Sequence, residues 1–126
     1  MNTTDVDLVE VPATEGPPDD HPTSPAHAPA PPHHDTLTAA GELLRALAAP
    51  VRIAVVLQLR SSPRCVHELV DALGVTQPLI SQHLRVLKAA GVVRGERRGR
   101  EGVYRLVDDH LAHIVVDAVE HAVEDA

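Results

Sequence analysis

Between Cys65 and Gly91 the chain reads CVHELVDALGVTQPLISQHLRVLKAAG, and this run constrains the fold more than any other. Its spacing predicts a short helix from about Cys65 to Leu73, a stop at Gly74, and a second helix starting under the cap of Thr76. Gly74 can take the left-handed conformation that the turn needs, and Pro78 fits a first helical turn, where no N–H has an intrahelical partner. Leu79, Ile80, Leu84 and Leu87 mark the apolar stripe of the second helix. Two helices joined so tightly form a helix-turn-helix. The other side of the second helix carries Gln77, Ser81, Gln82, Arg85 and Lys88. Short hydrogen-bonding groups come first and cations follow, an order that suits base edges in a major groove and then phosphates.

After Gly91 the pattern changes to VVRGERRGREGVYRL. Val92-Val93 and Val103 to Leu106 are short β runs around a glycine-rich turn, which predicts a β-hairpin wing. Arg97, Arg98 and Arg100 fall at its tip, where long cations can reach phosphates beside the groove. From Arg85 to Arg105 there are six Arg and one Lys against Glu96 and Glu101, whereas Asp108 to Ala126 holds six acids and no Lys or Arg. The formal net charge of −7 is misleading, because residues 1–35 hold seven acids without a single Lys or Arg. Polyanion and cation are therefore met by different segments. A charge run alone is most often a solvated surface; beside a recognition helix it reads as facing nucleic acid.

Residues 1–35 also contain eight of the eleven prolines and four of the nine histidines (His21, His27, His33, His34), and little that could form an apolar face. A disordered acidic tail is expected there, followed by one domain over 36–126. A first helix is predicted over about 36–48, with Leu37, Leu43, Leu44 and Leu47 at helical spacing, and a second from Pro50 to the stop at Ser61-Ser62-Pro63. Tyr104 is the sole aromatic, which disfavours stacking on unpaired bases and leaves an aliphatic core. The fold class expected is mainly α with a small β-hairpin, a winged helix-turn-helix. One cysteine, Cys65, excludes an internal disulfide and suits a reducing cytoplasm. The start lacks the features of a secretory signal and no apolar run approaches eighteen residues, so a soluble protein without a membrane partner is expected.

The last predicted helix, from Asp108 to about Glu124, has Leu111, Ile114, Val115, Ala118, Val119 and Ala122 on one side for packing. Asp108, His110, His121 and Glu124 are ligand types in the order Asp-x-His, ten residues, His-x-x-Glu. The eleven steps between the histidines span about 16 Å at 1.5 Å per residue, too far for ligands that must lie within about 2.3 Å of one ion. Two antiparallel copies of the helix can close the set, which predicts a dimer with two metal sites. Two imidazoles and two carboxylates in a closed tetrahedron favour Zn²⁺, two per dimer, and leave no open position for catalysis. His113 and Asp117 lie in the same stripe and could enter a different ligand set. Nickel or cobalt is the runner-up, and requires more ligands.

From about Thr36 to Glu124 the chain resembles the ArsR/SmtB family of bacterial winged-helix metal-sensing repressors. The resemblance rests on CVHELVDALGVTQPLISQHLRVLKAAGVV, the wing GREGVYRL, and the terminal Asp108-x-His110…His121-x-x-Glu124. It implies a homodimer paired through its first and last helices, bound to double-stranded operator DNA when metal-free and released when zinc binds. A second site of the family is thiolate-rich in members sensing soft metals. Here only Cys65 and Glu68 match it, with His67 beside them, and the N-terminal arm offers no cysteine, which argues against a soft-metal sensor. Cys65 reads as a small buried residue at a helix start. His67 and His83 read as packed or solvated side chains and not as ligands, and His83 could brace the recognition helix. An enzyme, a small organic substrate and a simple metal buffer are all disfavoured, the last by the basic segment. A winged-helix repressor with no metal effector remains the alternative.

Overall fold

The structure is a computed structural model in which residues 28–125 are described, so the expectation of disorder over 1–35 lies mostly outside the described residues. Helix α1 spans His34–Leu47 and starts two residues before the predicted position. The cause is local: the His33 ring nitrogen Nδ1 accepts from the Asp35 backbone N–H at 3.1 Å, satisfying a donor that the helix itself cannot. Histidine is not among the usual capping residues, so the sequence alone points to a later start. Pro50 opens α2, Pro50–Leu59. A two-residue strand β1, Arg64–Cys65, then leads into α3, Val66–Leu73.

Gly74 ends α3 at φ 65°, in the left-handed region, as the sequence predicts. Helix α4 follows at Gln77–Ala89 with Pro78 in its first turn; Thr76 occupies the cap position with extended backbone, but its side chain makes no capping hydrogen bond. The far end of α4 is a Schellman motif. Gly91 sits at φ 76°, its N–H donates to the Lys88 carbonyl at 3.0 Å, and the Val92 N–H donates to the Leu87 carbonyl at 2.9 Å. Leu87 and Val92, the apolar pair that accompanies this motif, are both fully buried. The chain is thereby turned from α4 straight into the wing.

The wing comprises β2, Val93–Arg98, and β3, Glu101–Leu106, paired antiparallel from Val93 opposite Leu106 to Arg98 opposite Glu101. Only Gly99 and Arg100 connect them, and Gly99 has φ 66°, the kind of backbone that two-residue hairpin loops demand. The sheet is not the bare hairpin that was expected. β1 pairs with the outer side of β3, through Arg64 opposite Tyr104 and Cys65 opposite Val103, giving the order β1-β3-β2. Helix α5 spans Asp109–Glu124, with Asp108 just before it in extended conformation.

The core is aliphatic and shared by every helix. Val55 and Val56 of α2, Leu69 of α3, Ile80, Leu84 and Leu87 of α4, Val92 and Val93 at the wing root, and Leu111, Ala112 and Val115 of α5 form one cluster. Burying each large aliphatic side chain is worth about 1.5–3 kcal/mol, so the helix-turn-helix is anchored chiefly through Leu69, Ile80, Leu84 and Leu87. Four expectations of burial fail: Leu79 on α4 and Ile114, Ala118 and Ala122 on α5 are exposed, and Ala112 takes the inward position on α5. Leu37 and Leu44 of α1 are also half exposed, at 50% and 52%.

Candidate functional site

Burial of Ile80, Leu84 and Leu87 fixes the rotation of α4, and with it what the helix offers to solvent. Gln77, Gln82, Arg85 and Lys88 are exposed and Ser81 is half-buried. Residues 77, 81, 85 and 88 follow one another at helical spacing, so they form one outward stripe. Strand alternation divides the wing cations. Gly95, Arg97, Gly102 and Tyr104 share one face, and a 230 Å³ cleft on that side is lined by Lys88, Arg97 and Tyr104 among others. Arg98 lies on the opposite face with Arg94, Glu96 and Arg105. Arg100 occupies the turn itself. Arg94 is exposed too and was missed in the sequence, where nothing but its place in the strand alternation distinguishes it.

A second set of chemistry-bearing side chains lies on α5. His110, His113, Asp117, His121 and Glu124 are all exposed, spaced by three and four residues along one side of the helix, and Asp108 is exposed at its N-terminal end. Within one chain the helix keeps the Asp108–His110 half and the His121–Glu124 half apart. Among the described residues no group of three or more His, Cys, Asp or Glu converges as a metal would require. His121 Nε2 instead stands 3.2 Å from Asp125 Oδ2, a carboxylate the ligand pattern does not include. Both groups are solvated, so this contact contributes little to stability and is readily exchanged.

Beside this stripe the surface is apolar. Ile114 and Ala118 lie between the ligand-type residues and the buried side of α5 and are exposed, and Val123 near the end is 69% exposed. Near Cys65 the geometry is different. The thiol is buried, and the Cys65 backbone N–H donates to Glu68 Oε1 at 2.9 Å, which occupies that carboxylate in helix capping. Among the described residues no helix is long and apolar enough to cross a membrane.

A helix-turn-helix that projects a polar and cationic stripe, continued directly into an arginine-bearing hairpin, defines a winged-helix DNA-binding protein. The family model described as "Bacterial regulatory protein, arsR family" matches residues 49–94, and the chain is 78% identical over 98 residues to the HTH-type transcriptional repressor SmtB of Mycobacterium tuberculosis, covering 78% of this chain and 73% of that one. The chain belongs to the ArsR family. Members of this family are transcriptional regulators, and the chain is one of them and not an enzyme.

Solved structures agree in fold. The solution structure of apo-NmtR is 36% identical, covers 83% of this chain and 89% of that chain, and superposes with a TM-score of 0.60. The homodimeric winged helix-turn-helix domain of Mb0332 from Mycobacterium bovis, described as a possible ArsR-family regulator, is 26% identical. It covers 72% of this chain and 82% of that chain, with a TM-score of 0.62.

Proposed function

We propose that this chain is a cytoplasmic, zinc-responsive repressor that acts as a homodimer on operator DNA. The observation that carries the reading is the α5 surface: ligand-type side chains in two separated halves, all exposed, bordered by the exposed apolar residues Ile114 and Ala118. Such a border is what a helix leaves open when its partner is another chain. Leu37 and Leu44 on α1 are exposed as well, and pairing through α1 would cover them. In the pair, Asp108 and His110 of one protomer and His121 and Glu124 of the other would hold Zn²⁺, two ions per dimer.

The donor set fits the ion. Two imidazoles and two carboxylates satisfy a four-coordinate closed site, and zinc there supplies a fixed set of bonds across the interface, with no open position for turnover. Gln77, Ser81 and Gln82 would read base edges, while Arg85, Lys88, Arg97, Arg98 and Arg100 would contact phosphates. Because both α4 helices are carried by the same dimer, the way α5 pairs sets how well two reading heads fit successive major grooves. Operator DNA and zinc must then weaken each other's binding by the same factor. The homodimeric state of the Mb0332 domain supports two half-sites in the operator.

The test is fluorescence anisotropy with DNA from upstream of the chain's own gene, with and without Zn²⁺, for wild type and His121→Ala. Zinc is expected to release the wild type and leave the variant bound. Equal responses from the two proteins would contradict the reading. One observation favours a second reading: His113 and Asp117 stand in the same exposed stripe, so a six-coordinate ion such as nickel or cobalt has further donors within reach. The absorption spectrum of the Co²⁺-substituted protein separates tetrahedral from octahedral ligation.

A further inference from the structure

Arg52, in the first turn of α2, touches both neighbouring elements that matter for DNA reading. Its Nε donates to the Ala46 carbonyl near the end of α1 at 2.6 Å, and its Nη1 lies 3.3 Å from Nδ1 of His83 on α4. A guanidinium has only donors, so Nδ1 must be the acceptor and the ring proton sits on Nε2. Both side chains are half-buried. His83 directly follows Ser81 and Gln82 and precedes Arg85, so the ring is held on the same turn of helix that presents the reading residues.

Core packing joins α1 and α4 at Leu47, which shares the buried cluster with Leu84 and Leu87. Beside the bridge α1 and α4 part around an open groove of 470 Å³, lined by Arg45, Ala46, Val86, Ala89 and Ala90 among others. Outside that core contact, the planar, two-ended guanidinium is a polar tie between the end of α1 and this flank of α4. Lysine carries the same charge but has a single head, and cannot make both bonds in that geometry.

We propose that Arg52 is a positioning residue for operator recognition: it ties the end of α1 to His83 and so sets the pitch at which α4 enters the groove. The proposal rests on the reading of α4 as the DNA-reading helix. Arg52 touches no base or phosphate in this account. Its effect falls on contacts that need exact placement, the base edges, and spares the sequence-independent attraction of the wing and α4 cations for phosphates.

The experiment compares wild type, Arg52→Lys, His83→Leu, His83→Asn and the double variant Arg52→Lys/His83→Leu. Each is titrated by anisotropy against the duplex that the wild type enriches most from a random-sequence pool, and against calf-thymus DNA; melting midpoints are recorded alongside. Arg52→Lys and His83→Leu are each expected to weaken binding to the selected duplex about tenfold, as for directly coupled pairs, with the double variant no worse than the poorer single. His83→Asn, whose side-chain oxygen can replace Nδ1 as acceptor, should recover most of the loss. Calf-thymus affinity should not change. Additive losses, equal losses on both DNAs, or no loss on the selected duplex would overturn the strut while leaving the repressor reading intact. A wild type that enriches no duplex would overturn the DNA reading and the strut with it.

Discussion

Glu96 Oε2 stands 2.9 Å from Arg105 Nε across the wing, on the face that both residues share with Arg94 and Arg98. The contact is an ion pair without the alignment of a hydrogen bond, and the Nε atom is buried with no other partner. Arg105 is thus committed within the wing, whereas Arg97, Arg98 and Arg100 are exposed.

The salt dependence of operator binding should separate these roles. Arg97→Ala, Arg98→Ala and Arg100→Ala are each expected to reduce the slope of log K against log salt by about 1, the change for one lost phosphate contact. Arg105→Ala should leave the slope as in the wild type and lower the melting midpoint slightly. A slope change at Arg105, or none at the other three, would reverse the assignment.

Leu69 on α3 is fully buried in the shared core, beneath the helix-turn-helix. Leu69→Ala removes side-chain volume where no solvent can replace it. A loss of about 2–5 kcal/mol in unfolding free energy is expected from urea titration, the range for buried leucine truncations. A loss below about 1 kcal/mol would mean that the site collapses around the smaller residue.

Glu68 gives a pH signature. The Cys65 backbone N–H donates to its carboxylate, chiefly through which the Glu68 pKa lies below its ordinary value of 4.5. A depressed folded-state value means that the stabilisation is present above pH 4.5 and is lost as the pH falls through the folded value. Glu68→Ala should therefore be less stable than wild type at neutral pH, and the gap should narrow on acidification below pH 4.5. Urea midpoints across that range read it directly; a gap constant with pH would show that the charge is not involved.

Much of this fold was legible because its punctuation is local. Gly74, Pro78 and Gly91 act through their own backbone preferences, so the boundaries of α3 and α4 and the turn into the wing follow from them. Strand β1 escaped because Arg64 and Cys65 are extended only by pairing with Tyr104 and Val103, some forty residues on, and two residues carry no periodicity. The outward rotation of Ile114 escaped for a related reason. Helical spacing marks an apolar side about a third of the circumference wide, and only packing decides that Ala112 rather than Ile114 faces the core. On α5 the ligand-type residues were readable as a stripe; Asp125, four residues after His121, continues the helical spacing but lies beyond the His-x-x-Glu motif. In the proposed site the ligands come from two chains, so their meeting depends on how two copies of α5 pair, which the spacing along one helix does not encode.

The most direct measurement mixes defects. Differently tagged His110→Ala and His121→Ala chains are exchanged and the heterodimer isolated, then assayed for bound zinc and for zinc-driven release from DNA. If each site takes Asp108 and His110 from one protomer and His121 and Glu124 from the other, either variant homodimer has no intact site. The heterodimer has both defects in one site and none in the other. One tightly bound zinc per heterodimer is expected, with none in either homodimer and release from DNA restored only in the heterodimer. Zinc held by a variant homodimer, or a heterodimer as inert as its parents, would contradict a site shared between protomers.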